Sequence, residues 1–194
     1  MKAFLPAYAL LGVILLGELL ARGARRPGSV RRDRGSLWVI TAAAGAGYWC
    51  AFMFAAFAHA HPAWRAAHPG YFLGAWAPWA GAALTVGGTG LRLWAVRVLG
   101  RFFTRDVRVS ADQIVVQSGP YRLIRHPSYT GGLTAALGVG LALGAWPCAL
   151  SIMAGMLSSF YYRMRVEEAA LLDALGAPYA AYRARTKRLI PFVW

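Results

Sequence analysis

The sequence predicts an all-α integral membrane protein with about five transmembrane helices. The last two form a tight helical hairpin, followed by a cytoplasmic C-terminal region. Three observations carry that prediction. The 194 residues are 58% hydrophobic with a mean hydropathy of +0.45, and only 14% are charged, against about 25% in soluble domains. Apolar runs of spanning length recur along the chain. The positive residues gather between those runs instead of decorating them. So apolar a chain is not disordered, and Cys50 and Cys148, both inside apolar runs, do not make a disulfide framework. The net charge of +14 is segregated between spans, which argues against nucleic acid as a partner.

The first span runs from about Ala3 to Ala21, with Glu18 its only acid. Arg22, Arg25 and Arg26 follow at once and no small-residue cleavage site is clear, so the segment reads as a retained helix and not a signal peptide. A basic segment, Arg22 to Arg34, carries six arginines and one aspartate. The second span covers about Leu37 to Ala58. The loop from His59 to Gly70 has Arg65 as its single full positive charge. The third span covers about Tyr71 to Val96, and basic residues return at Arg92, Arg97, Arg101, Arg105 and Arg108. Residues 1–98 thus form an N-terminal three-helix region, and 99–194 a second region.

From Arg101 to Pro127 the text turns polar and turn-rich, as an extended connector along the membrane surface would. Apolar sequence resumes from Thr130 to about Tyr162, too long for one span, and Trp146-Pro147 gives it a break. The alternation of arginine-rich and arginine-poor loops places the N-terminus outside and the C-terminus in the cytoplasm. Trp38, Trp64, Trp76, Trp79, Trp94 and Trp146 fall near span ends, where interfacial anchors sit. Gly81, Gly87, Gly88, Gly90, Gly131, Gly132, Gly138, Gly140 and Gly144 let helices approach closely. No lysine follows Gly87-Gly88-Thr89-Gly90, so it is not a phosphate loop.

Three clusters could carry chemistry. Arg125-His126-Pro127-Ser128-Tyr129-Thr130-Gly131 opens a helix, and Pro127 suits the first turn. Free N–H groups there, with Arg125 and His126, suit a carboxylate, and Tyr129 offers a face to a cation. Arginine and histidine at lipid headgroups would look the same. In the second cluster Arg163 and Glu167 share a helix face at i, i+4 and can pair, while Glu168 lies about 100° further round. Two of the chain's seven acids thus stand where the bundle meets the cytoplasm. An ordinary solvated helix start is the competing reading. The third is Tyr179 and Tyr182, an aromatic stripe that either docks a helix or covers a ligand.

In order, these are Gly119-Pro120-Tyr121, Arg125-His126-Pro127-x-Tyr129-x-Gly131, an apolar hairpin, Arg163, Glu167-Glu168, Gly176-x-x-Tyr179-x-x-Tyr182 and Arg188-Leu189-Ile190-Pro191. The combination resembles the isoprenylcysteine carboxyl methyltransferase family and its relatives, the phospholipid N-methyltransferases, over about half the chain, Leu99 to Pro191. The resemblance implies S-adenosyl-L-methionine as methyl donor, bound by the C-terminal region at the cytoplasmic face. Arg125, His126, Tyr129 and Gly131 would hold it with Tyr121, and Gln117 would line the same pocket. Glu167 and Glu168 would bind its polar groups, and Tyr179 and Tyr182 would close over it. Arg163 would point toward the methyl acceptor, making Arg163 and Glu167 the catalytic pair.

The acceptor implied is a lipophilic small molecule or lipidated carboxylate, prenylcysteine-like, reached from the membrane lipids. A carboxylate needs no general base. An amine or thiol acceptor would have to lose a proton, with His126 or Glu167 the nearby groups. The arginine- and alanine-rich composition is that of a GC-rich bacterial genome, which puts the protein in the bacterial inner membrane. A small NADPH-dependent reductase related to membrane sterol reductases, and a non-enzymatic scaffold, are the other classes. No metal is expected, because His59, His61 and His68 share a loop with no carboxylate or cysteine among them.

Overall fold

The computed structural model describes residues 5–21, 30–104, 106–110 and 112–193. Ala3, Arg22, Arg25, Arg26 and Arg105, which figure in the sequence reading, lie outside the described residues. The helices are α1 (Leu5–Leu20), α2 (Ser36–Ala60), α3 (Pro62–Ala67), α4 (Ala77–Leu99), α5 (Pro127–Ala142), α6 (Trp146–Leu175) and α7 (Ala177–Arg185). Two short strands, β1 (Val30–Arg31) and β2 (Arg108–Val109), pair antiparallel and tie the first loop to the connector.

Proline marks the helix starts. Pro62, Pro78, Pro127, Pro147 and Pro178 all stand in first turns, where the missing N–H would have had no intrahelical partner. The hairpin turns where expected, but through Gly144 at φ 76. Pro147 opens α6 and does not break a helix. α6 then runs 30 residues, well past the expected exit at Tyr162, and carries Arg163, Glu167 and Glu168 beyond the bundle's apolar part.

α4 packs along α5 and α2 along α6, the α5–α6 hairpin joins the two pairs, and α1 covers α4 and α5. Small residues make both seams. A Cβ placed on Gly138 would lie 2.4 Å from the Gly81 carbonyl oxygen, and one on Gly155 would lie 2.3 Å from that of Ala43. Gly88 and Gly131 meet in the same seam as Gly81. The expected close packing does not hold at Gly144, in the hairpin turn, where a Cβ would meet nothing within 4 Å, and the same is true of Gly87 and Gly90. Gly87 and Gly90 lie on the side of α4 turned away from α5.

Large apolar side chains face outward instead: Leu15, Trp38, Trp49, Trp79, Val86 and Leu150 are all exposed. An exterior this apolar is unusual for a soluble domain and normal for a lipid-facing bundle. Among the described residues α2 is the helix both long and apolar enough to cross a membrane, and α1 is a shorter apolar helix. α4, α5 and α6 complete a five-helix bundle with glycine, threonine and charge in their sequences.

The seam gives a test. Gly138→Ala should destabilise the protein by about 1–3 kcal/mol through overpacking, while Gly87→Ala should leave the thermal midpoint in detergent unchanged or slightly raised.

Candidate functional site

The connector, the start of α5, the overrun of α6 and the chain's last turns converge at one end of the bundle. A 3-10 turn, Gly119–Arg122, buries Tyr121. The chain beyond α7 then returns alongside it. Arg125 N–H donates to the Lys187 carbonyl at 2.8 Å and His126 N–H to that of Arg188 at 3.0 Å. Thr130 Oγ1 donates to the Leu189 carbonyl at 2.8 Å. α7 is anchored by Tyr182 Oη, which donates to the Tyr121 carbonyl at 2.8 Å.

Glu168 is the centre of this end, 3% exposed. Its Oε1 accepts from Arg125 Nε at 3.0 Å and Arg188 Nε at 3.2 Å, and lies 3.1 Å from His126 Nε2. Its Oε2 accepts from Arg188 Nη2 at 3.0 Å. Burial alone would raise its pKa, but the hydrogen bonds from His126, Arg188 and Arg125 hold it far below the usual carboxylate range.

A second chain of contacts runs through Arg163, which is 5% exposed. Its Nη1 donates to Asp33 Oδ1 at 2.8 Å and to Ser36 Oγ at 2.9 Å. Its Nε lies 3.4 Å from Tyr129 Oη, which donates to Glu167 Oε2 at 2.7 Å. Arg163 and Glu167, read as an i, i+4 pair, are thus bridged by a tyrosine. Asp33 comes from the first basic loop and is fully enclosed. Ser36 Oγ donates to it at 2.6 Å, and the N–H groups of Leu37 and Val107 lie at 3.4 Å. Burial opposes its charge, yet Ser36, the two N–H groups and Arg163 together hold its pKa below the ordinary value.

Two cavities meet at these residues. A cleft lies between the connector, α6 and α7. Its polar groups include Gln113, Arg125, His126 and Glu167, and its apolar wall Val107, Val109, Ile114, Val115 and Leu171. A larger, mostly apolar cavity lies among α1, α2, α4, α5 and α6. Phe103, Thr104, Tyr129 and Arg163 line both. A polar ligand in the first and a lipid-tailed one in the second would face each other across Tyr129 and Arg163.

Of the residues singled out in the sequence, Tyr121, Arg125, His126, Tyr129, Arg163, Glu167, Tyr179 and Tyr182 line the cleft. Tyr179 and Tyr182 both dock α7 and wall the cleft, and burial raises the Tyr182 pKa to about 12. Gln117, Gly131 and Glu168 are not brought to it. Gln117 is exposed and takes a hydrogen bond from Arg185, while Gln113 stands in the cleft. Gly131 faces α4, where a Cβ would lie 2.6 Å from Arg92 N. Glu168 stands behind Arg125 and His126. Sequence reasoning missed Asp33, Ser36 and Gln113. Asp33 alone left a signal, as one acid in an arginine-rich loop.

The family model described as the isoprenylcysteine carboxyl methyltransferase (ICMT) family matches residues 79–173. The chain is 34% identical over 116 residues to the protein-S-isoprenylcysteine O-methyltransferase of Saccharomyces cerevisiae, covering 58% of this chain and 48% of that one. It is 30% identical over 115 residues to protein-S-isoprenylcysteine O-methyltransferase B of Arabidopsis thaliana, covering 58% of each. The solved structure of the eukaryotic intramembrane Ras methyltransferase ICMT without a monobody matches with a TM-score of 0.57 at 29% identity, over 79% of this chain and 52% of that one. The chain spans about half the length of the curated relatives it matches.

Two outcomes check this geometry. In a double-mutant cycle, Asp33→Ala and Arg163→Met should couple by about 1–3 kcal/mol in unfolding free energy. Glu168→Gln should cost stability at neutral pH. The gap from wild type should be constant above about pH 5 and shrink below about pH 4, as the unfolded chain's carboxyl takes up a proton that the folded one, held far lower, resists.

Proposed function

We propose that the chain, whose residues 79–173 match the model of the isoprenylcysteine carboxyl methyltransferase family, is an integral membrane methyltransferase of that family. It uses S-adenosyl-L-methionine to methylate the carboxylate of a lipophilic, prenylcysteine-like acceptor. The observation that carries this reading is the meeting of a polar cleft and an apolar cavity at Tyr129 and Arg163. One cavity suits a charged, water-borne donor, and the other a tail arriving from the bilayer. The arginine-poor and arginine-rich loops support an orientation with the cleft at the cytoplasmic face of a bacterial inner membrane.

The cleft's residues fit the cofactor. Gln113, Arg125, His126 and Glu167 offer donors and acceptors for an amino acid and a ribose. Tyr121, Tyr129, Tyr179 and Tyr182 offer aromatic faces to a cation, and Val107, Val109, Ile114 and Leu171 a dry wall for a flat ring. When bound there, the cofactor supplies a methyl group activated by an adjacent sulfonium. Glu168 acts from behind, holding Arg125 and His126 in place. Gly131 acts by letting α5 close on α4.

The chain's own contribution is positioning. The Arg163 guanidinium, held by Asp33 and Ser36, meets the acceptor's carboxylate where both cavities reach it. That carboxylate is already an anion, so no side chain has to take a proton. Rate comes from alignment and from moving the carboxylate out of water into a largely apolar enclosure. Tyr129 joins Arg163 to Glu167, so the acceptor-facing and donor-facing sides of the site share one hydrogen-bonded chain.

Calorimetric titration of the purified protein should show micromolar binding of S-adenosylhomocysteine and none of NADPH. The reverse result would make the chain a reductase. Arg163→Lys keeps the charge opposite Asp33 but loses the planar fork. It should lower turnover about 100-fold with S-adenosylhomocysteine affinity unchanged. A water-soluble carboxylate methylated as well as a farnesylated one would sink the lipid-acceptor assignment.

A further inference from the structure

The segment after α7 also carries side chains that the cleft does not use. Its bridge between Lys187 and Ile124 is parallel, so it advances beside the connector in the direction in which α5 enters the bundle. The hydrogen bond from Thr130 Oγ1, in the first turn of α5, is made to the Leu189 carbonyl. The Leu189 side chain is buried with Leu133 of α5 and with Phe160 and Met164 of α6. Residues 187–189 thus pass from the level of the connector to the level where α5 and α6 become apolar.

Beyond Leu189 the apolar side chains turn outward. Ile190 is 51% exposed, Phe192 90% and Val193 71%. A turn gathers them: Val193 N–H donates to the Ile190 carbonyl at 3.2 Å, and Phe192 stands at φ 66, which is uncommon for a residue other than glycine. Cations flank the group. The Arg188 and Arg165 guanidiniums lie 6.0 Å and 5.9 Å from the centre of the Tyr161 ring, and Arg165 and Lys187 are exposed. Tyr161 itself ends a stripe on the outer face of α6 that includes Leu150 and Leu157, all three exposed.

We infer that residues 190–193 form an interfacial anchor, inserted into the bilayer leaflet beside the cleft, which fastens the segment after α7 to the membrane. Lipid is the occupant because the exposed group continues the apolar exterior of the bundle. Its neighbours are those met at a bilayer edge, a tyrosine and long cations whose stems lie on apolar surface while their heads reach phosphate. The anchor bears on the cleft through Arg188, which donates to both oxygens of Glu168. Glu168 in turn holds Arg125 and His126, so a fastened segment keeps that wall of the cleft in place. The inference rests on the reading of the bundle's exterior as lipid-facing and not on the reaction.

The test puts the full chain in nanodiscs of phosphatidylethanolamine and phosphatidylglycerol. Cys50→Ser removes the exposed thiol and leaves the buried Cys148 in place. A fluorophore is attached at Phe192→Cys, at Leu150→Cys on the lipid-facing stripe, or at Ala184→Cys on the exposed side of α7. A lipid with a nitroxide near its headgroup should quench the labels at 192 and 150 about threefold more than the label at 184, and iodide in the water should do the reverse. In the chain with its own cysteines, Phe192→Ser should let trypsin cleave after Arg185 and Lys187 about fivefold faster, and Phe192→Leu should not. Phe192 is too exposed for that difference to come from packing within the protein. Iodide reaching 192 as freely as 184 overturns the anchor, and so does a label at 192 shielded from both quenchers, as a covering protein would leave it. A trypsin rate in Phe192→Ser equal to that of wild type overturns its hold on the segment. A label at 150 that the lipid fails to quench sinks the membrane reading itself. Neither readout needs the cofactor, so a failure of the methyl-donor reading leaves this result standing.

Discussion

Glu168 stands where α6, the first turn of α5 and the end of the chain converge, and its two carboxylate oxygens gather Arg125, His126 and Arg188. Everything else at this end of the bundle depends on that arrangement. Arg125 and His126 can wall a cleft in fixed positions because a buried anion balances them from behind. The segment after α7 can lie against the connector because Arg188 is drawn to the same carboxylate. Buried charge is expensive unless paired and hydrogen-bonded, and here three donors from two segments supply the pairing. Take away the carboxylate and two arginines and a histidine would be left facing one another.

The helix seams do the complementary work. α4 and α5 approach through Gly81, Gly88, Gly131 and Gly138, and α2 and α6 through Gly47 and Gly155. Close backbone approach needs no large interior side chains, so the bulky apolar residues are left for the outside. What space remains between the two helix pairs and α1 becomes the apolar cavity. The site and its lipid-facing chamber are therefore products of the same packing rule, applied tightly along the seams and relaxed between them.

Much of this was legible in the sequence where a local rule decides. The helix starts were visible through Pro127, and the hairpin through Trp146-Pro147, although Gly144 makes the turn itself. The 100° offset between Glu167 and Glu168 correctly separates them. One enters the cleft and the other the buried cluster. The extent of α6 was not legible, because the change from apolar to charged sequence near Tyr162 marks an environment and not the end of a helix. Gly87 and Gly90 looked like their neighbours, and only the direction of the α4–α5 seam tells them apart. Asp33 was the largest omission. Its charge is visible in the basic loop, but its partner lies 130 residues away. No local pattern encodes a pairing at that distance. Gln113 and Gln117 show the same limit, since which of two glutamines enters the cleft depends on how an irregular connector folds.

The distance between Asp33 and Arg163 also orders events in the life of the molecule. As the chain leaves the ribosome, the loop before α2 emerges long before α6, so its carboxylate has to wait in water or at headgroups for its arginine. Only when α6 has docked along α2 do the two charges leave solvent together. Neither charge can be enclosed before α6 has emerged, so this part of the bundle cannot form ahead of the helix that brings Arg163. A chain inserted only as far as α5 therefore holds neither a desolvated arginine nor an enclosed chamber.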